Sequence, residues 1–168
     1  MRHTHDPELE AQVQTFAKNM RAARIKAGFT TIGLSRAIPL NRTTIALLER
    51  AERAPGLCTL LAVARSLDIT PASLLGEAGW PCVQTAAPWQ KEEPSQPSLE
   101  GTVSFATNLR TARLWAGLSQ EALARSARVD RAVISVYERG VRDPNLRTVL
   151  KLSRALRLQP TVLLEGLR

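Results

Sequence analysis

Residues 16–79 and 105–168 repeat one another at an offset of 89 positions without a gap, which constrains the fold more than any other feature. Phe16 aligns with Phe105, Asn19 with Asn108, Arg24 with Arg113, and Ala27-Gly28 with Ala116-Gly117. Further along, Arg42 meets Arg131, Ile45 meets Ile134, Glu49-Arg50 meets Glu138-Arg139, and Arg53 meets Arg142. Pro55 and Pro71 fall on Pro144 and Pro160. Such self-similarity at a fixed offset means that one structural unit was duplicated. Each copy is small, yet of a size at which a helical domain can fold alone. With three Phe, three Trp and one Tyr in 168 residues, a core must be built from Leu, Ile, Val and Ala. Ala and Leu are the strongest helix formers, so an all-α fold is predicted.

Between the copies, Pro81, Pro88, Pro94 and Pro97 punctuate a stretch that also holds Lys91-Glu92-Glu93. Prolines at that density give an extended connection, so the predicted layout is a domain at 7–79, a linker at 80–102 and a domain at 103–168. Trp80 and Trp89 lie in the linker, either packed on a domain face or open to solvent. Charge follows the same division. The net charge is +8, and residues 105–168 carry twelve basic against five acidic side chains. Residues 16–79 carry nine against four, whereas the N-terminal arm and the linker are each net negative. Positive charge concentrated on the folded copies suits a polyanion such as nucleic acid, although an anionic membrane or an acidic protein would also attract it.

The second copy shows its helices most clearly. Phe105, Leu109, Ala112 and Ala116 recur at helical spacing up to Gly117. Ser119 then caps a second helix from Gln120, and Asp130 caps a third that runs through Arg131, Ile134 and Tyr137 toward Gly140. Asn145 caps a fourth helix with Leu146, Val149, Leu150 and Leu156, and Pro160 opens a last turn. Five short helices with a tight turn between the second and third make a helix-turn-helix. The N-terminal end of the second helix, at Ser119 and Gln120, offers N–H groups to a phosphate. The third helix begins with Arg131, Ala132 and Ser135, which are small or polar enough to enter a major groove, where Arg131 can pair with guanine. Arg139 and Arg142 are placed to hold the DNA backbone, and Asn145 and Arg147 at the start of the fourth helix complete the candidate surface.

The run from Arg110 through Gly117-Leu118-Ser119-Gln120 to Ala124 resembles the Cro/repressor-like (XRE) helix-turn-helix family. The continuation Val129 to Gly140, with Arg142-Asp143-Pro144, is similar to its recognition helix and following loop. The resemblance extends over both copies and implies two tandem five-helix, lambda repressor-like domains. It further implies that Glu138 pairs with Arg113, and Glu49 with Arg24, as scaffold ion pairs rather than DNA contacts. The function it implies is a sequence-specific transcriptional regulator, by default a repressor that occludes a promoter, in a bacterial cytoplasm and on its nucleoid.

The first copy keeps the frame with changed residues. Thr31 stands for Gln120, Ile32-Gly33 for Glu121-Ala122, and Pro39 lies in the turn. Ala51 stands for Gly140, where a left-handed backbone is expected that glycine adopts most freely. Asn41, Arg42, Thr43 and Thr44 still make a capped, polar start to a third helix, and Arg50 and Arg53 persist. These residues, with Thr31, form the candidate DNA surface of the first copy. Leu47 and Val136 are apolar positions that can meet a thymine methyl or simply pack. Asp6-Pro7-Glu8 starts the first helix near residue 7, and Leu9, Val13, Phe16 and Met20 continue its apolar stripe.

Other classes fit poorly. His3 and His5, the two histidines, lie far in sequence from Cys58 and Cys82, with no zinc-ligand spacing, and no phosphate loop or nucleophile motif appears. No enzyme, metal or cofactor is expected. Two cysteines make no secreted disulfide framework, and neither a signal peptide nor a membrane span is expected. The rival reading is an adaptor, an antitoxin or anti-activator, in which the first copy binds a protein. The expected partner is a duplex operator with two or more half-sites, met by one chain or by a homodimer.

Overall fold

The computed structural model describes residues 6–76 and 100–167. Two sets of five helices follow one another: α1 (Pro7–Lys26), α2 (Thr31–Ala37), α3 (Arg42–Glu49), α4 (Leu57–Ser66) and α5 (Pro71–Leu75), then α6 (Glu100–Trp115), α7 (Gln120–Ala127), α8 (Arg131–Glu138), α9 (Leu146–Leu156) and α10 (Pro160–Leu163). From α2 onward, each helix of the first set starts 89 residues before its counterpart. Helix α6 is described from Glu100 onward. Trp80, Trp89, Cys82, His3 and His5 lie outside the described residues.

Side-chain caps set most of the helix starts. Asp6, Thr30, Asn41 and Thr70 accept first-turn N–H groups in the first set, as Ser119, Asp130 and Asn145 do in the second. Each such cap is worth about 0.5–2 kcal/mol. The apolar stripes turn inward. Phe16, Met20, Leu34 and Ile45 are fully buried in one set, and Phe105, Leu109, Leu123 and Ile134 in the other. Asn19 and Asn108, aligned in the repeat, have the same task. Their side-chain amides donate to the carbonyls of Leu74 and Leu163, tying the first helix of each set to its last.

The turn between the second and third helices is closed in two ways, for a reason visible in the sequence. In the second set, Arg128 ends α7 in the left-handed conformation, at φ 53°. Its counterpart is Pro39, whose ring fixes φ near −65° and forbids that solution. Proline also drives the preceding residue to extended backbone, and Ile38 is found at φ −129°, ψ 154°. Helix α2 accordingly stops after seven residues, where α7 has eight. Gly33 lies inside α2, where its counterpart Ala122 carries a Cβ beside the same kind of cap. A Cβ on Gly33 would lie 3.3 Å from the Oγ1 of Thr30, the atom that caps the helix.

Gly140 and Ala51 both adopt left-handed backbone, at φ 67° and 58°. An alanine Cβ is strained in that region, whereas glycine is not. Ala51→Gly should therefore stabilise the protein by about 1 kcal/mol, and Gly140→Ala should destabilise it by a similar amount. Around Gly140 a Cβ would meet only ordinary contacts, the nearest at 3.7 Å, so backbone strain alone sets the size of the loss. Urea midpoints of the two variants, moving in opposite directions at unchanged slope, are the check.

Candidate nucleic-acid interface

Helix α8 is two-faced. Ile134 and Tyr137 are buried, while Arg131 and Ala132 are exposed and Ser135 is half-buried. Asp130 caps it, its Oδ1 accepting from the N–H of Ala132 at 2.8 Å. Helix α3 follows the same plan. Ile45 and Leu48 face the core, Asn41, Arg42 and Thr43 are exposed, and Asn41 Oδ1 accepts from the N–H of Thr44 at 2.7 Å. Thr44, Leu47 and Val136 are half-buried.

What holds each third helix in place is a guanidinium–carboxylate pair. Arg113 Nε donates to Glu138 Oε1 at 2.5 Å and Nη2 to Oε2 at 3.0 Å. Arg113 Nη1 donates to the carbonyl of Leu118 at 2.8 Å, so a single side chain clamps α6, α8 and the loop before α7. Arg24 does the same with Glu49 at 2.5 and 3.1 Å and with the carbonyl of Phe29 at 2.7 Å. The hydrogen bonds they donate to Glu49 and Glu138 hold the guanidinium groups of Arg24 and Arg113 above their ordinary pKa, against the opposing effect of burial. Paired, buried charges of this kind fix geometry more than they add stability.

The second set has one more link. Gln120 Nε2 donates to Glu138 Oε2 at 2.8 Å. The Gln120 side chain is thus engaged inside the scaffold, and the backbone at the start of α7 is what this position presents outward. Ser119 Oγ is occupied as the α7 cap, and Asn145 Oδ1 as the α9 cap. Thr31, the counterpart of Gln120, is half-buried at the start of α2.

The arginines divide into two groups. Arg42, Arg53, Arg131, Arg139 and Arg142 are exposed, and none makes an ion pair among the described residues. Arg50 is also exposed and bonds Glu52 at 2.7 Å, a surface pair easily exchanged for a phosphate. Arg147 forks onto Glu10 of α1, Nε to Oε1 at 3.0 Å and Nη2 to Oε2 at 2.8 Å, in a partly exposed pair. The residues that sequence reasoning passed over are the carboxylates paired with Arg147 and Arg154, Glu10 with the first and Asp6 and Glu8 with the second. Asp6, Glu8 and Glu10 make the arm acidic, and that charge was the available signal.

Among the described residues, no cluster of three or more His, Cys, Asp or Glu side chains is placed to hold a metal. Nor is any described helix long and apolar enough to cross a membrane.

Comparison with known proteins places the second set. Residues 109–163 match the helix-turn-helix family. Residues 6–76 fall outside that match, so the resemblance read in both copies is matched in the second alone. The restriction-modification controller protein C.AhdI from Aeromonas hydrophila is 42% identical over 37% of this chain and 94% of its own, with a TM-score of 0.37. A hypothetical transcription factor, NHTF, from Neisseria is 33% identical over 42% of this chain and 84% of its own, with a TM-score of 0.38. No curated protein matches the chain. Through residues 109–163, the chain belongs to the helix-turn-helix family.

Proposed function

We propose that the protein is a sequence-specific, double-stranded DNA-binding transcriptional regulator built from two tandem helix-turn-helix copies, each taking one half-site of an operator. The observation that carries this reading is the exposed start of α8. Arg131, Ala132 and Ser135 lie on a helix whose opposite face is locked by Ile134, Tyr137 and the Glu138–Arg113 pair. A rigid short helix with a free arginine at its tip is what a major groove about 12 Å wide accepts. Arg139 and Arg142 hold the flanking phosphates and set the register. The names of the two similar proteins, a controller and a transcription factor, point the same way. Repression by promoter occlusion is the mode a chain of two DNA-binding copies supports, and an in vitro transcription assay tests it.

The expected effect of Arg131→Ala is a loss of about 1–3 kcal/mol in affinity for a selected duplex, with relaxed preference at one base pair. Arg142→Ala should weaken all duplexes alike and lower the salt dependence of binding by about one phosphate contact. Fluorescence anisotropy at several salt concentrations separates the two. Equal losses on specific and random duplexes for Arg131→Ala would remove it from base readout.

A second reading follows from the first copy, where the Gln120–Glu138 link has no counterpart and Pro39 closes the turn differently. On it, α2 and α3 dock a protein while the second copy holds DNA. If Arg42→Ala leaves DNA affinity unchanged, this reading replaces DNA contact by the first copy.

A further inference from the structure

The two sets of helices meet across an approximate two-fold axis. Leu57 N–H donates to the Pro144 carbonyl, and Leu146 N–H to the Pro55 carbonyl, both at 2.8 Å. Between them Gly56 and Asn145 face each other in an antiparallel bridge. Leu57 and Leu146, Pro55 and Pro144, Gly56 and Asn145 are the same positions of the repeat, so exchanging the copies maps the contact onto itself. The helix pairs obey the same exchange, with α1 on α9, α4 on α6, and α5 on α10. This is the isologous geometry of a symmetric dimer, made within one chain. A Cβ on Gly56 would meet the end of the exposed Asp143 side chain, which would have to turn aside.

The ion pairs break the symmetry. Glu10 takes Arg147, while Asp6 and Glu8 take Arg154 at 2.8 and 2.9 Å. The repeat positions that would make these pairs on the other side are Leu99 and Cys58, and Ser95 and Pro97 with Arg65. Cys58 and Leu99 carry no charge, so the Glu10–Arg147 pair needs one copy of each kind, whereas Arg65 keeps the charge of Arg154. The Glu10–Arg147 pair is partly exposed, so it chooses the partner more than it strengthens its hold.

A groove of about 430 Å³ crosses the axis, lined by Thr44 and Arg53 from one set and by Arg142 and Asn145 from the other. Arg53 and Arg142 are equivalent, and each follows its third helix. The ends of α3 and α8 therefore converge on one side of the molecule. The tips of those helices differ, Asn41-Arg42-Thr43 against Asp130-Arg131-Ala132, with only the arginine shared.

We infer that this chain is its own dimer. One molecule presents α3 and α8 together to a non-palindromic operator of two different half-sites, in fixed order and about one helical turn apart. This inference rests on the DNA-binding reading above, while the internal pairing that supports it can be tested without DNA.

The first arm of the test uses Thr102→Cys in a Cys82→Ser background. Thr102 Oγ1 lies 3.7 Å from Cys58 Sγ across the axis. Oxidation should give an internal disulfide, a monomeric band on a non-reducing gel and no free thiol. Disulfide-linked dimers, or two free thiols, overturn the internal pairing whether or not DNA is bound. Sedimentation of the unaltered chain guards against a misfolded variant. It should give the mass of one chain, 18.4 kDa, and a two-chain mass overturns the inference.

The second arm uses duplexes selected by the full chain from a random library. Native mass spectrometry should count one chain per duplex, and the motif should lack dyad symmetry. Replacing either half-site by a copy of the other should lower affinity on the order of a hundredfold. A palindromic motif bound by two chains overturns the inference and leaves the DNA-binding reading standing. An internal disulfide in a chain that selects no duplex removes the DNA-binding reading, and the operator with it.

Discussion

Glu138→Ala should cost about 3–5 kcal/mol of stability, enough to consume a large share of what a small domain possesses. The side chain is 4% exposed and accepts three hydrogen bonds, two from Arg113 and one from Gln120. Truncation leaves the Arg113 guanidinium buried beside a void, with no carboxylate to offset its lost hydration. It also frees α8 from α6, so DNA affinity should fall even where the variant is still folded. Glu138→Gln keeps the shape and one good acceptor, and should lose less. Arg113→Met combined with Glu138→Leu removes both charges and should recover part of the loss, because an apolar replacement leaves no buried charge unpaired. Urea unfolding of the three variants ranks them. A single Glu138→Ala loss below about 1 kcal/mol would mean that water reaches the pair and that it does not lock the recognition helix.

Phe105→Ala should be comparably damaging, about 3–5 kcal/mol, because the ring is fully buried in α6. Phe16 occupies the same position of the other set and is equally buried. The two truncations thus remove the same ring from two copies of one core. Phe105→Leu retains a branched apolar side chain and should recover a good part of the loss. Because α4 packs on α6 and α1 on α9, damage to one core should propagate to the other. Phe105→Ala and Phe16→Ala should each lower a single shared unfolding transition when followed by calorimetry. Two separated transitions would show that the sets unfold independently.

Much of this architecture was legible because the repeat and the caps are local. The 89-residue offset aligns the helix starts, and Asn41, Ser119, Asp130 and Asn145 are recognisable caps before helical periodicity. Ala51 could be assigned a left-handed backbone from its alignment with Gly140 alone. The helical residues 100–102 were less legible, since Glu100 and Gly101 continue a polar stretch. The different closure at Pro39 follows from proline's fixed φ, but only once Arg128 is known to be left-handed. The engagement of Gln120 with Glu138, and of Arg147 with Glu10, depends on side chains brought together by tertiary packing. No spacing rule gives that, and an arginine or glutamine near a helix start reads equally well as a phosphate ligand. The pairing of the copies across Gly56 and Asn145 was beyond reach for the same reason. It uses backbone groups of a loop whose sequence only suggests a turn.

The most direct test of DNA recognition is selection from a random duplex library by the full chain and by Arg131→Ala at moderate salt. Recognition through α8 predicts an enriched motif containing a guanine contact that Arg131→Ala relaxes while flanking preferences persist. If the full chain enriches no motif and its binding falls away uniformly with salt, the positive surface is a non-specific one and the central claim is wrong.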